Sequence, residues 1–218
     1  MTQRVTFPAG TGEVAGVLAT PDSKQRVAGV VVVHEWWGVN EQITETASKW
    51  AREGFLAIVP DLYHGKRAAN ADEAGKMMGA LDFPKAVKEI AAAVEYLRNH
   101  PQCNGKVAVT GYCMGGALTL ATACNVRGLA AVVPFYGIPG TADWSKVDAP
   151  VQAHFAQHDE WATVDAGKKI QQAVKQMELH VYDAQHAFCN DRRPEVYNAA
   201  ASDQAWGRAV AFVRAHTA

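Results

Sequence analysis

Short apolar runs alternate with amphipathic segments along the chain, and this alternation limits the possible folds more than any other feature. The runs 27–34 (VAGVVVVH) and 55–60 (FLAIVP) are almost continuously apolar, which is typical of strands buried on both faces of a parallel sheet. Segments with helical spacing follow them, and in 83–99 the apolar residues form one stripe. The order predicts an α/β fold, with a mostly parallel sheet and helices on both faces.

The predicted elements cover most of the 218 residues. Strands are expected at 5–8, 13–20, 27–34, 55–60, 106–110, 129–135, 151–157 and 179–183, and helices at 43–53, 83–99, 114–124, 162–175 and 196–216, with a short helix within 61–82. No repeat or linker-like stretch interrupts them, so we predict a single domain over residues 1–218. In such sheets, functional residues gather beyond the carboxyl ends of the strands.

Charge and hydropathy exclude some partners. The formal net charge is −1, so no basic field favours nucleic acid or an anionic membrane as a partner. The first 14 residues lack the apolar region of a signal peptide, and no apolar run reaches the roughly 18 residues that span a bilayer. We therefore expect a cytoplasmic protein.

A strand-to-helix turn carries the strongest catalytic signal. Residues 111–116 (GYCMGG) follow the predicted strand 106–110 and match the G-x-S-x-G pattern of an α/β-hydrolase nucleophile elbow, with Cys113 in the serine position. Glycines are needed where strand and helix crowd together, and the helix N-terminus favours a thiolate and an oxyanion. The alternative is a structural cysteine in a tight turn, but the predicted strand and helix on either side favour a nucleophile.

A cysteine nucleophile needs a histidine base that a third group orients. In α/β-hydrolases the chain order is nucleophile, acid, histidine. Asp159 and His186 fit this order, and each follows a predicted strand. His34 is the main rival base, and Glu160 and Asp165 are the rival acids.

The segment 34–38 (HEWWG) follows the first buried strand, where this fold supplies one N–H of the oxyanion hole. We predict that the backbone N–H groups of Trp36 and Met114 form that hole. Glu35 is interpreted as an acid that controls thiol ionisation. The alternatives are a surface acid and a metal ligand paired with His34, although no further ligand cluster accompanies this pair.

Taken together, these motifs resemble the dienelactone hydrolase family over nearly the whole chain. The matching segments are HEWWG (34–38), DLYHG (61–65), GYCMGG (111–116), FYG (135–137), HDEW (158–161) and HAF (186–188). The resemblance implies an α/β-hydrolase fold with a Cys-Asp-His triad and no cofactor, and we separately predict no metal site.

The family also implies a role for each matching residue. Cys113 corresponds to the nucleophile, Asp159 to the orienting acid and His186 to the base. Glu35 corresponds to a glutamate that holds the resting thiol and takes its proton when substrate arrives, and Tyr136 to a tyrosine of the pocket. We add Trp37 and Phe188 as predicted pocket residues.

Two departures concern the substrate. Family members that open dienelactone hold its carboxylate with two arginines. In this chain Asn190 stands at one of these positions and 70–72 (NAD) at the other. An aromatic pair is also missing, because 75–78 reads GKMM. The resemblance therefore supports the chemistry and leaves dienelactone itself in question.

These observations predict a hydrolase that cleaves a small carboxylic ester or lactone through an acyl-enzyme on Cys113. A thiol-dependent hydrolase of another class, such as a peptidase, is one alternative, and a non-catalytic ligand-binding relative is another. We expect a monomer or a small homo-oligomer.

Overall fold

An eight-stranded sheet forms the centre of the protein, which is described over residues 1–218 by a computed structural model. The strands are β1 (Thr2–Ala9), β2 (Gly12–Ala19), β3 (Val27–Val33), β4 (Leu56–Pro60), β5 (Cys103–Tyr112), β6 (Ala131–Phe135), β7 (Val151–His158) and β8 (Met177–Gln185). Their order is β1-β2-β4-β3-β5-β6-β7-β8, and only β2 runs against its neighbours. The predicted mostly parallel sheet is confirmed.

Helices cover both faces of this sheet, as predicted. They are α1 (Glu41–Arg52), α2 (Ala71–Gly79), α3 (Phe83–Arg98), α4 (Met114–Ala123), α5 (Val164–Ala173) and α6 (Ala199–Thr217). Apolar residues of α3, α4 and α5 form one core layer, and those of α1 and α6 form the other. A single 3₁₀ turn at Trp144–Lys146, absent from the sequence prediction, precedes β7.

The central position of β5 explains the location of the site. This strand pairs in parallel with β3 on one side and β6 on the other. Its last six residues are buried, as are all five residues of β6 and the last six of β3. The loops after Val33, Tyr112 and Phe135 therefore leave the sheet side by side at its carboxyl edge.

Element boundaries differ from the predictions where strand pairing or helix capping decides them. β5 begins at Cys103, because Val27 of β3 pairs with it before a register shift. The last helix begins later than predicted, at Ala199, because the Asn198 side chain caps it by accepting from the Ala201 N–H.

No helix combines the length and the apolar character needed to cross a membrane.

Candidate active site

Cys113 lies in the turn between β5 and α4 with a strained backbone. Its φ is 56° and its ψ is −118°, a region that costs a non-glycine residue about 1–3 kcal/mol. The turn is possible only with glycines around it. A Cβ on Gly111 would collide with the Gly115 carbonyl, and one on Gly115 would collide with the Val33 carbonyl. The elbow thus projects the Cys113 side chain beyond the sheet.

Asp159 and His186 meet beyond the ends of β7 and β8. The His186 Nδ1–H donates to Asp159 Oδ2 at 2.7 Å. Asp159 Oδ1 accepts from the N–H groups of Trp161 and Ala162, both at 2.9 Å. Burial is the largest influence on Asp159 and raises its pKa, but the hydrogen bonds and charge of His186 and these N–H groups outweigh it, so the net pKa is lowered. Asp159 therefore stays ionised and fixes the His186 ring, whose Nε2 has no hydrogen-bond partner.

The rival residues are engaged elsewhere. The ring of His34 is fully buried and its Nδ1 contacts the Glu35 carbonyl oxygen at 2.6 Å. Glu160 is exposed, and the exposed Asp165 lies 3.8 Å from Lys168. Of the histidines, only His186 is hydrogen-bonded to Asp159.

The resting thiol of Cys113 is neutral, which differs from the thiolate that the helix N-terminus suggested. Burial and, next, the charge of Glu35 raise its pKa to about 12, while the Met114 N–H lowers it by less. No hydrogen bond joins this thiol to His186, whose Nε2 is buried without a partner. A nucleophilic role for this sulfur would therefore require removal of its proton.

Glu35 is a buried acid between two neutral donors. Asn190 Nδ2 donates to Glu35 Oε2 at 2.7 Å, and the Tyr136 hydroxyl donates to Oε1 at 3.4 Å. Burial raises the pKa of Glu35, against smaller opposing effects from Asn190, His186, Arg193 and Tyr136. The surface-acid alternative is wrong, because only 3% of Glu35 is exposed. A carboxylate in these surroundings is a stronger base than one in water.

The two N–H groups predicted for the oxyanion hole belong to Trp36, after β3, and Met114, after β5. Met114 is the first residue of α4, where a helix leaves its N–H groups without internal partners. Trp36 follows β3, and its N–H donates no hydrogen bond within the protein. Both residues border the same cavity as Cys113.

That cavity has a volume of about 540 Å³ and holds most of the predicted site. Its walls are mainly apolar. The lining residues are Glu35, Trp36, Gly75, Met78, Gly79, Phe83, Cys113, Met114, Ala117, Tyr136, Gly137, Ile138, Trp161, Ala162, His186, Ala187 and Arg193. Sequence reasoning missed the contributions of α2, Phe83 and Ile138, since no motif marks them.

Two predicted pocket residues, Trp37 and Phe188, do not line the cavity. Phe188 is fully buried and packs against the Tyr136 ring at 5.3 Å between centroids. Trp37 packs edge-on against Trp36, also at 5.3 Å. Trp36 lines the cavity and Trp37 does not. The prediction that these two residues line the pocket is corrected accordingly.

The positions of the family arginines serve other purposes here. Asn190 is buried against Glu35, and the Asn70 side chain caps α2 by accepting from the Glu73 N–H. Among the cationic side chains, only Arg193 reaches the cavity, and its Nε donates to Glu195 at 2.8 Å. Arg192 faces solvent beside Glu45.

The site has no evident metal-binding arrangement. No group of three or more histidine, cysteine, aspartate or glutamate side chains is placed to hold an ion. The pair formed by His34 and Glu35 diverges, because the His34 ring turns back to the Glu35 backbone.

The mostly parallel sheet, the strained elbow at Cys113 and the hydrogen-bonded pair of Asp159 and His186 together define an α/β-hydrolase. Along the chain the elbow comes first, the acid second and the histidine third. The Dienelactone hydrolase family model matches residues 14–217. The chain is 36% identical over 229 residues to "Protein usf" of Aquifex pyrophilus, covering 98% of each chain. It is 28% identical over 204 residues to a carboxymethylenebutenolidase of Pseudomonas putida, covering 86% of each.

A solved structure agrees with this assignment at the level of the fold. A dienelactone hydrolase-like promiscuous phosphotriesterase from metagenomic libraries superposes with a TM-score of 0.90, at 22% identity, covering 100% of this chain and 99% of that one. The chain belongs to the dienelactone hydrolase family and is a hydrolase of carboxylic esters or lactones.

Proposed function

We propose that the protein cleaves small carboxylic esters or lactones with Cys113 as nucleophile, His186 as base and Asp159 as orienting acid. The observation that carries the proposal is the 2.7 Å hydrogen bond between His186 and Asp159 beside the cavity that Cys113 enters. A nucleophile, a histidine and an acid in this order of contact carry out acyl transfer on several unrelated folds. Because a thiol nucleophile works only while reduced, we also infer a cytoplasmic location.

The first step of the reaction removes the proton of the Cys113 thiol. Glu35 accepts this proton as substrate enters, because its burial makes it a strong base, and passes it to His186 Nε2. The Cys113 sulfur then attacks the carbonyl carbon and forms a C–S bond. The carbonyl oxygen becomes an oxyanion, which the N–H groups of Trp36 and Met114 stabilise.

Collapse of this intermediate breaks the C–O bond, while His186 Nε2–H gives its proton to the leaving oxygen. The acyl group remains on Cys113 as a thioester. A water molecule then gives a proton to His186 and attacks the thioester carbonyl. The C–S bond breaks, the acid product leaves, and the sulfur regains the proton.

A panel of p-nitrophenyl esters, assayed before and after complete alkylation by iodoacetamide, tests the proposal. We expect turnover that disappears once mass spectrometry shows Cys113 carboxamidomethylated. Turnover that survives alkylation would contradict the cysteine nucleophile. A peptidase would also cleave peptide substrates, which an ester or lactone hydrolase leaves intact, and a ligand-binding relative would turn over neither.

Replacement of Glu35 by glutamine tests its role as proton acceptor. The charge of Glu35 raises the thiol pKa, so the neutral amide lowers that pKa from about 12. Each unit of decrease raises the thiolate fraction about tenfold at pH 8, which speeds alkylation. We therefore expect faster alkylation of Cys113 but slower ester turnover. The measurement is the iodoacetamide rate against pH, followed by mass spectrometry.

Glu160→Gln is the matched control, because it makes the same change at an exposed acid next to Asp159. It should leave the alkylation profile unchanged. An identical profile in wild type and Glu35→Gln would remove Glu35 from the mechanism.

The cavity favours substrates without a carboxylate. Its walls are mainly apolar, the buried Glu35 repels an anion, and Arg193 is already paired with Glu195. We expect neutral esters or lactones to be turned over at least as well as dienelactone. The measurement is kcat/KM for a matched pair of esters, one with a free carboxylate and one with that carboxylate methylated.

A large preference for the free acid would overturn this expectation. Arg193→Ala would then lose the preference if Arg193 supplied it, since a charge-assisted hydrogen bond contributes about 1.5–3 kcal/mol. Lys76→Ala, at an exposed position outside the cavity, is the matched control.

A further inference from the structure

Trp161 is an exposed tryptophan whose backbone belongs to the site. Its N–H donates to Asp159 Oδ1 at 2.9 Å, which fixes the chain two residues beyond the acid. The residue nevertheless remains 74% exposed, whereas Val181, the next most exposed large apolar residue within the chain, is 38% exposed. An exposed indole at a fixed position offers an aromatic face and edge that a ligand ring can contact.

The indole stands at the mouth of the active-site cavity on the His186 side. The rings of Trp161 and His186 meet edge-to-face, with 5.0 Å between centroids and 88° between planes. Trp161 also lines the cavity, together with its neighbour Ala162. A group bound beside His186 therefore lies within reach of the indole.

The reaction requires the leaving group of the substrate to lie beside His186. In acylation the proton of His186 Nε2 goes to the leaving oxygen, so the departing alcohol must sit beside His186. We propose that Trp161 is a specificity-determining residue that binds this leaving group and favours a planar aromatic alcohol. The proposal rests on the function proposed above, and it assigns the leaving-group side of the cavity rather than the acyl side.

The expected effect follows from aromatic packing. An edge-to-face or offset contact between two aromatic rings gains about two- to twelvefold in affinity beyond that of the buried area. A saturated ring of similar size covers the indole without this gain. The contact is made only while the alcohol is attached, so it acts on acylation and not on deacylation.

Three esters separate the two sides of the cavity. Benzyl acetate and cyclohexylmethyl acetate share the acyl group and differ in the planarity of the leaving group, whereas methyl phenylacetate carries its ring on the acyl side. Trp161→Ala should lower kcat/KM about tenfold for benzyl acetate, less for cyclohexylmethyl acetate, and leave methyl phenylacetate unchanged. Trp161→Phe should restore most of the loss. An equal decrease for all three esters, or none, would overturn the proposal.

Deacylation distinguishes a binding role from an indirect effect on His186. Acetyl esters all give the same acetyl-enzyme, so its rate of hydrolysis, measured after the p-nitrophenyl acetate burst, should be unchanged in Trp161→Ala. A slower rate would mean that Trp161 acts by positioning His186, which contradicts the proposal.

Binding of the free alcohol keeps this test separate from the proposed function. Benzyl alcohol should bind wild-type protein several-fold more tightly than Trp161→Ala in an NMR titration, even if no ester is hydrolysed. Absence of turnover together with this difference would overturn only the catalytic proposal. Equal binding to both proteins would overturn the assignment of Trp161.

Discussion

Replacement of Cys113 by alanine is expected to reduce ester hydrolysis on the order of 10⁴-fold or more, the size of loss seen when a triad nucleophile is removed. The methyl group cannot form the thioester, and no other thiol lines the cavity. The measurement is kcat/KM for a p-nitrophenyl ester that the wild-type protein turns over.

Cys124→Ala is the matched control for this variant. Cys124 is buried at the other end of α4, so the same change should leave hydrolysis nearly unaltered. Circular dichroism of both variants checks that the fold is retained. Substantial hydrolysis by Cys113→Ala would show that the nucleophile is wrongly assigned.

Asp159→Asn is expected to lower kcat about 10³- to 10⁴-fold. The aspartate accepts from the His186 Nδ1–H and from the N–H groups of Trp161 and Ala162. An amide nitrogen turned toward His186 would donate to Nδ1 and select the tautomer that has its proton on Nε2. His186 could then no longer accept the thiol proton. The measurement is kcat against pH for the variant and the wild-type protein.

Two exposed acids provide controls for Asp159. Glu160→Gln and Asp165→Asn remove the same charge nearby but touch neither His186 nor the cavity. Both should retain nearly full kcat. If one of them were severely impaired while Asp159→Asn was active, the orienting acid would have to be reassigned.

The fold could be predicted largely from patterns with a direct physical cause. The apolar run 27–34 predicts a strand buried on both faces, and β3 lies within the sheet with neighbours on each side. The glycines around Cys113 predict the tight turn that the structure has. Boundaries such as the start of β5 depend on pairing with a distant strand, which local sequence does not encode.

The site could be predicted only in part, because side-chain directions in its loops depend on the whole fold. Trp36 and Trp37 are neighbouring residues of the same type, so the sequence does not distinguish them. Only the packing decides that Trp36 faces the cavity. The contact of Asn190 with Glu35 joins residues far apart in the chain. The neutral state of the Cys113 thiol follows from burial and from the nearby acid, which outweigh the helix N-terminus.

The central claim is an acyl-enzyme on Cys113, and mass spectrometry of a trapped intermediate tests it most directly. p-Nitrophenyl trimethylacetate suits this purpose, because its hindered carbonyl slows attack by water on the thioester. After acid quenching during turnover, we expect that the peptide containing Cys113 is heavier by one trimethylacetyl group, and that Cys113→Ala shows no such adduct. Turnover without an adduct on Cys113, or with the acyl group on another residue, would contradict it.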